Sequence, residues 1–146
     1  MEGFIHFERM MRWIFVICFL IVVLSCHGQT IRDNSNMVVG KIEVNGNFRD
    51  CNNVMIGKFE SGGDVRNQND MKVGEIETNG TIRGSNNMML GKVEQNGTVR
   101  DKKNMTIGKV ESDGTVRDKN NMTVGYAKDV PKTYAAVFFL FKLFDR

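Results

Sequence analysis

The sequence predicts an all-β fold: a radially symmetric closed ring, in effect a shallow barrel, of short β-hairpins, followed by a hydrophobic C-terminal segment. Three observations predict it. The chain matches itself at a shift of seventeen residues, with Gly40, Gly57, Gly74, Gly91, Gly108 and Gly125 on that spacing and Arg32, Arg49, Arg66, Arg83, Arg100 and Arg117 on the same one. A period this short excludes four-stranded propeller blades and helical arrays. The pairs Asn45-Gly46, Asn79-Gly80, Asn96-Gly97 and Asp113-Gly114 recur between β-prone residues, which signals tight hairpins. The repeat also begins mid-unit at Thr30-Ile31-Arg32-Asp33 and stops mid-unit at Met122 to Ala127, so its first fragment supplies the strand its last one lacks. A sheet cut in this way can pair its two ends and lose both free edges.

In chain order, residues 1–28 read as an export leader. Arg9 and Arg12 precede Trp13 to Leu24, an uninterrupted apolar run as long as a signal-peptide core and short of the ~20 residues that span a bilayer. Cys26 and Gly28 are small residues placed for a signal-peptidase cut before Gln29. Val23-Leu24-Ser25-Cys26 also resembles a bacterial lipobox, in which Cys26 becomes a lipidated first residue. An uncleaved membrane anchor is the third alternative. With either processed form the mature chain is exported, to the periplasm, to the outer membrane on a lipid anchor, or to the medium. Only Cys51 lies beyond the leader, and a lone cysteine makes no internal disulfide.

Residues 29–127 carry the repeat as one ring domain. Each Asn-Gly pair is expected to form a two-residue hairpin turn, with Gly62-Gly63 in the same place in the second unit. A short strand such as Thr98-Val99-Arg100 follows, then an Asn-rich corner such as Lys119-Asn120-Asn121, where Asn tolerates left-handed backbone. The strand leaving a corner runs like Met105 to Glu111. Ile107 and Val110 are three apart, so a regular strand would point them to opposite faces, and a bulge at Gly108 is expected to return both to one side. The inward set is then Ile107, Val110, Val116 and their equivalents, with Lys109 and Glu111 in water. Six corners and five glycine turns can be counted.

Residues 128–146 change character. Pro131 suits the first turn of a helix, Asp129 its positive end, and Lys142 and Arg146 its negative end. Tyr134 to Phe141 is apolar on all sides, which a solvated helix cannot be, so a helix packed on or plugging the barrel centre is expected. A strand is one alternative. Contact of Phe138, Phe139, Phe141 and Phe144 with a membrane surface is another. The strings GKIE-x-NG, GTVRD and NNM-x-VG, with the closing GYA-x-x-VPK-x-x-AAVFF, resemble the β-flower family of bacterial exported repeat proteins. The resemblance spans about residues 30–144. It implies hairpins radiating around a shallow symmetric barrel and an envelope location, with no catalytic residue to carry over. Six corners depart from a fivefold version, which leaves five- and six-fold symmetry both open.

The available chemistry is narrow. The net charge is +3, and basic residues alternate with acidic ones along every unit, so the chain lacks the basic stripe of a nucleic-acid binder. Both histidines, His6 and His27, lie in the leader, so the mature chain has no Ser-His, Cys-His or zinc constellation. The carboxylates Glu43, Glu60, Glu77, Glu94 and Glu111 form one series and Asp33, Asp50, Asp101 and Asp118 another, and cross-strand ion pairs are their expected role. The corners lack the closing glutamate of a calcium loop. No metal or cofactor is expected. The arginine series Arg32, Arg49, Arg66, Arg83, Arg100 and Arg117 is a candidate rim for an anionic glycan or lipid head group, unless each arginine caps the Asp that follows it. The expectation is a non-enzymatic exported module, binding or structural, of a bacterial cell envelope, with its partner and oligomeric state open. A membrane-associated, pore-like barrel and a hydrolase built on the repeated carboxylates are the alternatives.

Overall fold

The computed structural model describes residues 29–145. The leader expected over residues 1–28, including Cys26, and Arg146 lie outside the described residues. Twelve antiparallel strands close into one barrel in chain order. They are β1 (Gln29–Asp33), β2 (Val38–Ile42), β3 (Asn47–Asp50), β4 (Met55–Phe59), β5 (Asp64–Asn67), β6 (Lys72–Ile76), β7 (Thr81–Gly84), β8 (Met89–Val93), β9 (Thr98–Asp101), β10 (Thr106–Val110), β11 (Thr115–Asp118) and β12 (Thr123–Tyr126). The seam is the pair β1–β12, with Arg32 opposite Tyr126 and Asp33 opposite Gly125.

The two kinds of turn share one geometry. At Glu43–Gly46 the Gly46 N–H donates to Glu43 O at 2.9 Å, and the glycine alone takes positive φ, 86°. The expected two-residue turn therefore gives way to a three-residue loop, Val44 to Gly46, ending in a left-handed residue. The asparagine before the glycine keeps negative φ and uses its side chain: Asn45 Oδ1 accepts from Asn47 N–H at 3.0 Å. At the corners the left-handed place belongs to Asn36, Asn53, Asp70, Asn87, Asn104 and Asn121, with φ between 62° and 65°. Asn and Asp are the side-chain-bearing residues that occupy this region most readily.

Successive hairpins are also bolted together at the glycine turns. Gly46 O accepts from Phe59 N–H at 2.9 Å, and Gly63, Gly80, Gly97 and Gly114 repeat the bond to Ile76, Val93, Val110 and Ala127. This approach is so close that any Cβ on those glycines would collide with backbone of the next unit.

The interior is built from cross-strand pairs: Ile42 with Phe48, Phe59 with Val65, Ile76 with Ile82, Val93 with Val99 and Val110 with Val116. Of these, all but Ile76 are buried. The bulge falls one residue before the expected place. Thr106 pairs with Arg100 and Gly108 with Val99, so Ile107 is the extra residue. That keeps Gly108 in step with Val110 on the inner face, buried, and leaves Ile107 half-buried. The same shift falls at Val39, Ile56, Val73, Leu90 and Val124.

The inward glycines are seats for the C-terminal segment. Helix α1 (Lys132–Phe139) runs inside the barrel with Ala135, Ala136 and Val137 fully buried. Pro131 takes the N-cap place, one residue earlier than expected. Beyond the helix the chain continues around the barrel axis. A Cβ on Gly125 would strike Phe139, on Gly108 Leu140, on Gly91 Phe141, on Gly74 Leu143, and on Gly57 Phe144. The sixth seat, Gly40, is filled by Phe48. Lys142, at φ 51°, makes the bend that lets Leu143 and Phe144 reach their seats. A six-cornered ring is thus filled by a plug without symmetry.

Candidate functional site

The barrel has two unlike ends. At the glycine-turn end the helix begins, and Gln29, opposite Ile42, brings in the upstream chain. The turn tips here are polar apart from Val44. A cleft of about 550 Å³ lies between the tips and the helix start, walled by Ile76, Val93 and Tyr134 and edged by Glu77, Glu94 and Lys132. Lys132 Nζ donates to Gln95 O at 3.0 Å, and Tyr134 stacks on Phe59 with ring centroids 4.0 Å apart, which fixes the helix in the mouth.

The six arginines stand on the outer wall, one to each corner hairpin, and each is engaged within its own unit. Nη1 of Arg32, Arg49, Arg66, Arg83, Arg100 and Arg117 donates to the carbonyl of the left-handed corner residue at 2.9–3.2 Å. Nε of the last five pairs with the glutamate six residues earlier: Arg49 with Glu43 at 3.0 Å, Arg66 with Glu60 at 3.2 Å, Arg100 with Glu94 at 2.7 Å, Arg117 with Glu111 at 3.0 Å, and Arg83 with Glu77. The glutamate, and not the following aspartate, is the arginine's partner. The aspartates serve their own corners, as where Asp33 Oδ1 accepts from Ser35 and Met37 N–H, both at 2.9 Å. Asp50, Asp101 and Asp118 do the same.

Three groups are shifted in their titration. Lys72 Nζ meets Asp64 at 2.7 Å and Glu75 at 2.8 Å, and the bond to Asp64, then that to Glu75, raises the ammonium above its ordinary value. Arg66 is raised chiefly by its bond to Glu60. Thr115 N–H, donating to Asp113 Oδ1 at 2.9 Å, holds that carboxyl below the usual range. Lys72 and Asp113 are exposed and Arg66 is half-buried, all in turns or cross-strand pairs, and their partners are structural. Among the described residues no cluster of His, Cys, Asp or Glu could hold a metal ion. Cys51 is an exposed, free thiol at a corner tip.

The candidate membrane-contact phenylalanines point into the barrel. Phe138 meets Phe48 edge-on at 5.2 Å, Phe139 meets Phe138 edge-on at 4.8 Å, and Phe144 lies 5.5 Å from both Phe48 and Phe59. Phe141 covers Gly91. All four are half-buried.

A feature that the sequence reading passed over dominates the corner end. The residue after each left-handed corner position is Met37, Val54, Met71, Met88, Met105 or Met122. These six side chains are 50–66% exposed. Their backbone groups close the corners, as where Asp33 N–H donates to Met37 O at 2.9 Å, and that bond needs no particular side chain. Inside this crown lie the half-buried bulge residues such as Ile56 and Ile107, and at the centre Leu143 and Phe144. Val54, Met71, Leu143 and Phe144 share one cleft of about 270 Å³ with Asp50, Asn67, Gln68 and Asn69, so crown and plug meet there among polar corner residues. The seventeen-residue spacing of the methionines was the signal that could have revealed it.

Residues 28–143 match the family described as 5-fold beta-flower protein. Comparisons with curated proteins and with solved structures find no match. The five glycine turns agree with five hairpins joined by tight loops, and the sixth corner is the one that carries the chain from β11 to the seam strand β12. With the matched residues covering the whole barrel and nearly all of its plug, the chain belongs to the β-flower family.

Proposed function

We propose that this protein is a non-enzymatic, exported interaction module of the bacterial cell envelope, acting through the end faces of a solid ring. The observation that carries this reading is the plug. Five inward glycines each receive a side chain of the C-terminal segment, so the barrel holds no lumen for a substrate or a solute. The repeated arginines, glutamates and corner aspartates hold turns and strands, which leaves the rest of the surface, above all the methionine-bearing corner end, for contact with a partner. Export is supported by the apolar run Trp13 to Leu24 behind Arg9 and Arg12. The pore-like alternative is disfavoured because strands of four or five residues fall short of the ~9–11 that cross a bilayer. The outward positions beside the core, such as Lys109 and Arg117, are also charged.

The test is the intact mass of the protein recovered from fractionated cells. A chain starting at Gln29, or at a lipidated Cys26, in an extracytoplasmic fraction is the expected outcome. Full-length chain confined to the cytoplasm would refute it.

A further inference from the structure

We infer that the corner end is a lipid-docking face, specific for a bilayer surface carrying anionic phospholipid. This rests on the reading of the ring as an interaction module and names its partner. The crown residues Met37, Val54, Met71, Met88, Met105 and Met122 are related by the repeat, so they stand at one height and define a plane. A ring of exposed apolar side chains set beside polar corner tips suits a planar partner better than a groove-seeking peptide. Within this face are four cations: Lys102, Lys103 and Lys119 at the tips of two adjacent corners, and Lys142 beside the central Leu143. Their side chains are exposed and make no ion pair among the described residues. The carboxylates of those two corners, Asp101 and Asp118, accept bonds from loop N–H groups and keep their charge, so the three corner lysines leave a local excess of one positive charge, to which Lys142 adds. The acids that remain exposed are Asp70, 3.9 Å from Arg66, and Asp145. Exposed methionines beside unpaired lysines match an interface where acyl chains lie beneath anionic head groups.

Cys51, at a corner tip, offers a reporter inside the face. The full chain carrying Cys18→Ser and Cys26→Ser takes an environment-sensitive dye at Cys51 alone. The dye is expected to move to an apolar environment on adding vesicles of phosphatidylcholine with phosphatidylglycerol, and to respond far less to phosphatidylcholine alone. Association through the leader alone would persist unchanged in variants of the crown methionines or lysines. Met88→Ser, Met105→Ser and Met122→Ser together should abolish the response. A separate variant, Lys102→Gln with Lys103→Gln and Lys119→Gln, should weaken vesicle partition by roughly fivefold per lysine and reduce its salt dependence. Circular dichroism checks that each variant remains folded, and the lysine set alone decides should the methionine set fail to fold. The inference is overturned by a dye that stays hydrated with anionic vesicles, or by a response that folded variants of either set leave intact. It is equally overturned by a dehydrated dye in a two-chain particle without lipid, which would assign the face to a second copy. Failure here with correct export would remove the lipid partner and leave the module reading standing.

Discussion

Gly62 and Gly63 are adjacent and chemically identical, yet the fold asks opposite things of them. Gly63 takes φ 99° and lies against Ile76, so a side chain there is strained twice, by its own backbone and by the next hairpin. Gly62 has negative φ and nothing within 4 Å of a Cβ. Its equivalents Asn45, Asn79, Asn96 and Asp113 each accept an N–H bond from the residue two places on, a bond this turn lacks. Gly62→Asn should therefore add that bond and restrict the unfolded chain, raising stability by about 0.5–1 kcal/mol. Gly63→Ala should lower it by about 2 kcal/mol or more. Denaturant midpoints of the two variants measured side by side decide the matter. Equal effects of one sign would show that the two positions are not distinguished as described. A similar contrast holds among the charges, where the arginines are tied to corner carbonyls and glutamates while Lys102, Lys103 and Lys119 are tied to nothing described.

At the scale of the element, the plug is where sequence and packing meet least obviously. Apolarity on all sides of Tyr134 to Phe141 is enough to read a buried segment, and the helix follows. What the residue pattern could not reveal is why Gly108 recurs. Viewed as a strand residue it looks like a place for a bulge, whereas the bulge sits on Ile107 and the glycine serves the plug by leaving room for Leu140. That relation joins residues far apart in the chain, and no local propensity reports it. The turns show a milder version: Asn-Gly marks the reversal correctly, but the choice of a three-residue loop depends on the bond from the next hairpin to the glycine carbonyl. Helix α1 also carries a size limit. Ala135 and Ala136 are fully buried, so Ala136→Leu has no free volume to enter. It should cost about 2 kcal/mol by overpacking, seen as a lowered midpoint with unchanged slope in urea. A neutral result would mean that the plug sits more loosely than the glycine seats imply.

For the molecule as a whole, closure is the weak point of a ring made from one chain. Eleven of the strand junctions are covalent hairpins, and the twelfth, β1–β12, is held by pairing alone at Arg32–Tyr126 and Asp33–Gly125. The repeat's mid-unit start and stop made this closure legible, since complementary fragments at the two ends call for each other. The plug's part in sealing it was not legible. Phe139 covers Gly125, the residue opposite Asp33 in the seam pair, so this seat lies directly at the seam. Leu143 covers Gly74, which pairs with Gly84 within the covalent hairpin β6–β7. The two truncations should then differ in place and not merely in size. Phe139→Ala should destabilise by about 3 kcal/mol and, in native-state hydrogen exchange, release the amides of β1 and β12 well before those of β6 and β7. Leu143→Ala, at about 2–3 kcal/mol, should leave the seam's order of opening unchanged. If Phe139→Ala speeds exchange evenly around the ring, the seam is no weaker than any hairpin, and the barrel opens as a single unit whichever seat is emptied.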